Sequence, residues 1–232
     1  MVVLSLTACL CIHGFTGAPK EVEPLAEYLL EHTDWECVMP VLPGHGELLQ
    51  LKGVSFNEWI HCAEGALEEL LERHDEVYVV GFSMGGMIAS YLAARYPVKK
   101  LVLLSAAAFY INPKQLRADL IIMCRDLYNG KLFENELFNR YSQKFKTTPL
   151  SATIQFRKLV RYIKPLLESV TIPTFIAQGD SDGIVPLKSA DYLYQTIKAK
   201  KKEMVYIKDS QHLICHCKDN QALFSRILNF LS

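Results

Sequence analysis

The chain has 232 residues, 50% of them apolar, and 25 lysines and arginines balance 25 aspartates and glutamates. That length suits one large domain or two small ones, with a core that needs no covalent staples. The composition excludes a disordered chain, the missing basic excess argues against a dedicated nucleic-acid binder, and no apolar run reaches the roughly 18–20 residues that span a bilayer.

Leu6–Ile12 is a continuous apolar run ending in His13-Gly14 and reads as a buried strand. Leu6-Thr7-Ala8-Cys9 also looks like a lipoprotein cleavage box. No basic residue precedes the run, as a signal peptide requires, so the strand is the expectation. Pro19–Glu31 places Val22, Leu25, Ala26 and Leu29 at helical spacing. Glu36–Pro40 is a short strand, and Pro43-Gly44-His45-Gly46 a turn-rich loop. Ser55–Arg73 reads as a helix with Phe56, Trp59, Ile60, Ala63, Leu67 and Leu70 or Leu71 inward. Ser55 with Glu58 three residues later is a capping-box signature. Glu76–Phe82 is a strand, Met84–Arg95 a helix rich in small residues, and Lys100–Ser105 a strand.

The rhythm then breaks. From about Phe109 to Pro165 there is no clear strand, only helical stretches near Pro113–Tyr128, Leu132–Phe145 and Ser151–Tyr162. It returns with a strand at Pro173–Gln178, a helix near Leu187–Ile197, a strand at Glu203–Ile207 and a helix at Asp219–Leu231. Strands alternating with helices predict a parallel α/β sheet. The insertion reads as a cap over the carboxyl edge of that sheet, where such sheets bind ligands. The predicted division is therefore a core of residues 1–108 and 166–232 and a helical cap of 109–165. The basic run Lys198–Lys202 reads as a solvated loop.

Gly81-Phe82-Ser83-Met84-Gly85 matches G-x-S-x-G between a predicted strand and a predicted helix. That turn strains the backbone and lifts the serine hydroxyl above the sheet, so Ser83 is the candidate nucleophile. A serine hydroxyl needs a base. Of seven histidines, His212 follows the last predicted strand, where a base would stand, with His216 as the alternative. The imidazole needs an acid to fix its tautomer. Asp182 and Asp180, in Gly179-Asp180-Ser181-Asp182, both follow a strand between Ser83 and His212, and Asp182 is favoured. An oxyanion needs two N–H donors. Met84, directly after the serine, supplies one, and Phe15, in the loop His13-Gly14-Phe15-Thr16-Gly17, supplies the other.

These landmarks resemble a known family. With Gly44-His45-Gly46, Phe145-Lys146-x-Thr148-Pro149, Pro173-Thr174-Phe175 and Ser210-x-His212 added, the chain looks like an α/β-hydrolase of the small bacterial carboxylesterase and monoacylglycerol lipase group. The resemblance covers about residue 6 to the C-terminus. It implies a mostly parallel sheet flanked by helices, a small helical cap after the sixth strand, a triad of Ser83, Asp182 and His212, and Phe15 and Met84 as oxyanion donors. Three departures stand out. Family members begin with a β-hairpin, and only five residues precede Leu6 here, so the expectation is either that this hairpin is largely missing or that the start site is misassigned. Gln211 replaces a glycine often found before the histidine. Asp180-Ser181 and Gly183 differ from the usual neighbours of the acid.

The resulting expectation is a serine hydrolase for carboxylic esters. Phe15, Met84, Met87, Phe109 and Tyr110 would line an apolar acyl pocket, which suits a fatty acyl chain. A thioesterase or another acyl hydrolase of the same fold is the alternative, and a non-catalytic binding module a remoter one. No cofactor and no metal are expected. His212, Cys215, His216 and Cys217 carry ligand-type atoms, but at spacings that point apart on any regular element. Seven scattered cysteines do not read as a disulfide framework, and a cytoplasmic location follows. A small ester is the expected partner, with no nucleic acid and no transmembrane segment, in a monomer or homodimer.

Overall fold

The structure, a computed structural model, describes residues 7–110, 148–218 and 220–232. Six strands form one sheet in the order β2-β1-β3-β4-β5-β6. They are β1 (Thr7–Ile12), β2 (Glu36–Val38), β3 (Glu76–Phe82), β4 (Lys100–Leu104), β5 (Thr174–Gly179) and β6 (Lys202–Ile207). Every neighbouring pair is parallel. The helices are α1 (Glu23–His32), α2 (Phe56–Arg73), α3 (Met84–Arg95), α4 (Leu150–Ile163), α5 (Lys188–Thr196) and α6 (Asn220–Leu231).

Side chains alternate across a strand, so each central strand feeds two cores. Ala8, Leu10 and Ile12 of β1 join Val77 and Val79 of β3 on the face covered by α2, α3, α4 and α5. Cys9, Cys11, Tyr78, Val80 and Phe82 face the other side, with α1 and α6. Helices on both faces explain why the strands read as unbroken apolar runs.

The chain passes from β1 through α1 to β2 on one side, then returns through α2 to β3 on the other side of β1. The strand order therefore reverses between β1 and β3, whose register pairs Ile12 with Gly81. A crevice opens at such a switch point, beyond the carboxyl ends of the strands. The loop after β1 and the turn after β3 both end there.

Two elements differ from the expectation. The helix over Pro19–Glu31 is split into a 3₁₀ turn, Pro19–Glu21, and α1 from Glu23, with Val22 (φ −114°, ψ −11°) between them. Pro24 has no N–H to give and suits a helix's first turn, so the α-helix restarts there. The long insertion follows the fourth described strand, not a sixth. A count of six presupposes the family's opening hairpin, and residues 1–6 lie outside the described residues. The expected helices at Pro113–Tyr128 and Leu132–Phe145, and Cys124, also lie outside them. At the end of the insertion, α4 buries Ala152, Phe156, Leu159, Val160 and Ile163 and packs on α3 and α2. The start of α2 is set as its sequence implies: the Ser55 N–H donates to Glu58 Oε1 at 2.8 Å.

Candidate active site

Ser83 sits between β3 and α3 with φ 53° and ψ −115°. A non-glycine residue holds that conformation only when its surroundings impose it. Here the Ser83 N–H donates to the Leu104 carbonyl at 2.9 Å, and the Ser83 carbonyl accepts from Ala107 at 3.0 Å and Gly86 at 3.1 Å. The turn is tight enough to forbid side chains on either side. A Cβ on Gly81 would lie 2.3 Å from the Gly85 carbonyl oxygen, and one on Gly85 would lie 2.2 Å from that of Ile12. The glycines of the motif are thus demanded by backbone against backbone.

His212 stands in the loop after β6. Its Nε2 is 3.0 Å from Ser83 Oγ and its Nδ1 is 2.7 Å from Asp182 Oδ2. A carboxylate can only accept, so the proton sits on Nδ1 and Nε2 is left to receive the serine proton. The Asp182 side chain is fully buried and well satisfied. Its Oδ1 accepts the N–H groups of Ile184 (2.8 Å) and Val185 (2.9 Å), and its Oδ2 also accepts from Gln178 Nε2 at 2.9 Å. Gly179 lets the two loops meet, because a Cβ there would lie 2.3 Å from the Ser210 carbonyl oxygen. The alternatives lie elsewhere. Asp180 Oδ1 accepts from the Ser181 hydroxyl, and His216 Nε2 bonds the Lys20 carbonyl.

The loop after β1 is organised by a histidine that sequence reasoning left unassigned. The Leu42 N–H donates to His13 Nε2 at 3.1 Å, which puts the ring proton on Nδ1. That Nδ1–H donates to the Gly14 carbonyl at 2.9 Å, and the Gly17 N–H reaches the same oxygen at 3.3 Å. Burial lowers His13 to about 4, partly offset by its bond to the Gly14 carbonyl, so the ring stays neutral near pH 7. In a trans peptide the carbonyl and the following N–H point to opposite sides. Pinning the Gly14 oxygen therefore turns the Phe15 N–H the other way. Among the described residues, no backbone carbonyl takes the Phe15 N–H or the Met84 N–H.

Beside the loop lies an aromatic floor. The Phe15 ring stacks on Phe156 of α4 at 5.1 Å, and Phe156 meets Tyr110 at 4.7 Å. Phe109 and Tyr110 also line a cavity of about 630 Å³, with Ile154, Val160 and the basic side chains of Arg157, Arg161 and Lys164. Met84 and Met87 do not line that cavity. Both are fully buried in the core, because α3 is enclosed nearly all round. Phe156 and Gln178 are the site neighbours that the sequence did not announce. An aromatic at helical spacing and a glutamine inside a strand carry no signal of their own.

Comparison with known proteins gives a consistent picture. The chain is 29% identical to a thermostable monoacylglycerol lipase of Bacillus sp. (strain H-257), over 96% of this chain and 89% of that one. It is 24% identical to a carboxylesterase of Bacillus subtilis (strain 168), over 97% of this chain and 92% of that one. Among solved structures, one reported with the metagenome-derived lipolytic enzymes LipS and LipT superposes with a TM-score of 0.79 at 22% identity, covering 99% of this chain and 94% of that one. The monoacylglycerol lipase of Paleococcus ferrophilus superposes with a TM-score of 0.70 at 18% identity, covering 97% and 93%. These likenesses bear out the α/β-hydrolase fold. Matched over residues 6–219, the chain belongs to the Hydrolase_4 family, described as serine aminopeptidase, S33.

Proposed function

We propose that the protein is a serine hydrolase that cleaves carboxylic esters through an acyl-enzyme. The observation that carries this reading is the unbroken relay from Ser83 through His212 to Asp182, at 3.0 and 2.7 Å. Ser83 Oγ attacks the acyl carbon while His212 Nε2 takes its proton. The Phe15 and Met84 N–H groups stabilise the oxyanion that forms, and each such donor is worth on the order of 100–1,000-fold in rate. The tetrahedral species collapses as His212 protonates the departing alcohol, leaving the acyl group on Ser83. Water then gives a proton to His212 and attacks the acyl carbon. Release of the acid returns the proton to Ser83. Asp182 holds the imidazole in the required tautomer and stabilises its charged form.

The substrate we infer is an uncharged ester with an apolar acyl chain, lying along Phe15, Phe156, Phe109 and Tyr110. The names of the relatives support a lipid ester. The family's description adds a second reading, release of an N-terminal residue from a peptide. No helix among the described residues is long and apolar enough to cross a membrane. The described cysteines are free, which suits a reducing cytoplasm.

The test is a series of p-nitrophenyl esters of increasing chain length, run beside monoacylglycerols and aminoacyl p-nitroanilides. Hydrolysis of medium or long esters, lost in Ser83→Ala, is the expected result. Preference for acetate would remove the lipid-ester reading, and turnover of anilides alone would favour the peptidase. Retained activity in Ser83→Ala would overturn the mechanism.

A further inference from the structure

The carboxylate of Glu21 is tucked into the concave side of the loop after β1. Its Oε2 accepts the Gly14 N–H at 2.8 Å. It also fills the space beside Gly17, where a Cβ would lie 2.0 Å from the same oxygen. The break at Val22 makes this possible, because Glu21 belongs to the 3₁₀ turn and not to α1. A glutamate reaching back to a backbone amide is common at helix starts, but this one serves residues upstream of its own turn. Burial raises its carboxyl, opposed first by the Gly14 N–H and then by His212, His216 and Lys20.

Two successive peptide planes are thereby fixed by different side chains. Glu21 holds the peptide between His13 and Gly14 by its N–H. His13 holds the next, between Gly14 and Phe15, by its carbonyl. The Phe15 N–H leaves that second plane. Between the two planes lies Gly14, whose freedom to rotate would otherwise let the donor swing away.

We propose that Glu21 is a positioning residue: its carboxylate clamps Gly14 and Gly17 so that the Phe15 N–H is preset to receive the oxyanion. This rests on the ester-hydrolase reading and deepens it. The role is one of reach and acceptance, not of charge. A neutral glutamine, whose Oε1 can still accept the Gly14 N–H, should therefore serve.

The experiment measures the rate at which a fluorophosphonate probe inactivates parent, Glu21→Ala and Glu21→Gln, beside kcat and KM for a p-nitrophenyl ester. The phosphoryl oxygen of the probe occupies the oxyanion position, so labelling reads the hole without reference to the natural substrate. Glu21→Ala should label about 10–100-fold more slowly, the loss falling in kcat with KM nearly unchanged. That is less than loss of a whole donor, because the N–H is misdirected and not removed. Glu21→Gln should stay within about three-fold of parent. Glu21→Ala labelling as fast as parent would overturn the inference. So would Glu21→Gln as slow as Glu21→Ala, since charge would then be the active property. Should Glu21→Ala not fold, amide exchange on the parent decides: a protected Gly14 N–H supports the clamp and a freely exchanging one refutes it. A parent that takes no label at all would instead sink the ester-hydrolase reading beneath it.

Discussion

Ser83, in the turn that opens α3, and Phe156, on α4, stand on helices that pack on each other, yet they are held in place by different means. Ser83 is fixed by the main chain. Its own N–H and carbonyl are bonded to β4 and the residues after it, and its glycine neighbours press against carbonyl oxygens of β1 and α3. Phe156 is held by side-chain packing, the rings of Phe15 and Tyr110 among its neighbours. Main-chain contacts cannot repack, whereas rings can be exchanged for others of similar size. The reacting groups should therefore tolerate almost nothing, and the floor beside them should tolerate change at the expense of which substrate fits.

The largest effect should come from Asp182→Asn. The Asp182 Oδ1 position is committed to two backbone N–H groups, so the new amide would turn its NH₂ towards His212. That forces the ring proton onto Nε2 and removes the base. Loss of kcat by about ten-thousand-fold is expected in ester hydrolysis, with a much smaller effect on stability. The unbonded Gln178 Oε1 can turn to accept the new amide. Next comes Gly85→Ala. Its Cβ would have to displace the β1 backbone, so chemical denaturation should show a loss of about 4 kcal/mol or no folded protein at all. Wild-type stability in that variant would mean that the turn is not held by its main-chain contacts.

Phe156→Ala tests the other half. It leaves a cavity between Phe15 and Tyr110, and a stability loss of roughly 3 kcal/mol is expected. The triad should stay intact, so kcat for short esters should change little while KM for long ones rises several-fold. An equal loss for all chain lengths would mean that the floor acts on the chemistry. The smallest effect is a dependence on pH. His13 titrates near 4 when folded and near 6.5 when unfolded, so the unfolded chain binds the extra proton between those values. Stability contributed by neutral His13 is then complete above about pH 6.5 and falls by roughly 1 kcal/mol per pH unit as the pH drops towards 4. Burial shifts His45 the same way, while the raised Glu21 carboxyl works against it. His13→Asn should flatten the slope in urea titrations at pH 7, 6 and 5.

The same contrast explains what could be read from the chain. Gly81, Ser83 and Gly85 were legible because a backbone demand is written locally, as glycines at fixed spacing. Asp182 and His212 were legible because each closes a strand, and parallel strands bring their carboxyl ends together. Phe156 was hidden, since a ring that touches Phe15 and one that fills the core have the same helical spacing. Met84 and Met87 show the reverse. They read as pocket residues beside the serine, but α3 is surrounded by sheet and helices and both turn into the core. Glu21 fell within an apparently continuous helix, and only the break at Val22 turned it back to the loop. Contacts set by packing across the crevice have no period in the sequence.

In the proposed mechanism Ser83, activated by His212, forms the covalent intermediate. Peptide mapping by mass spectrometry after fluorophosphonate treatment locates that nucleophile. A single phosphonyl group on the peptide containing Ser83, absent in Ser83→Ala and formed far more slowly in His212→Ala, is the predicted result. An adduct on another residue, or one formed equally fast without His212, would contradict it.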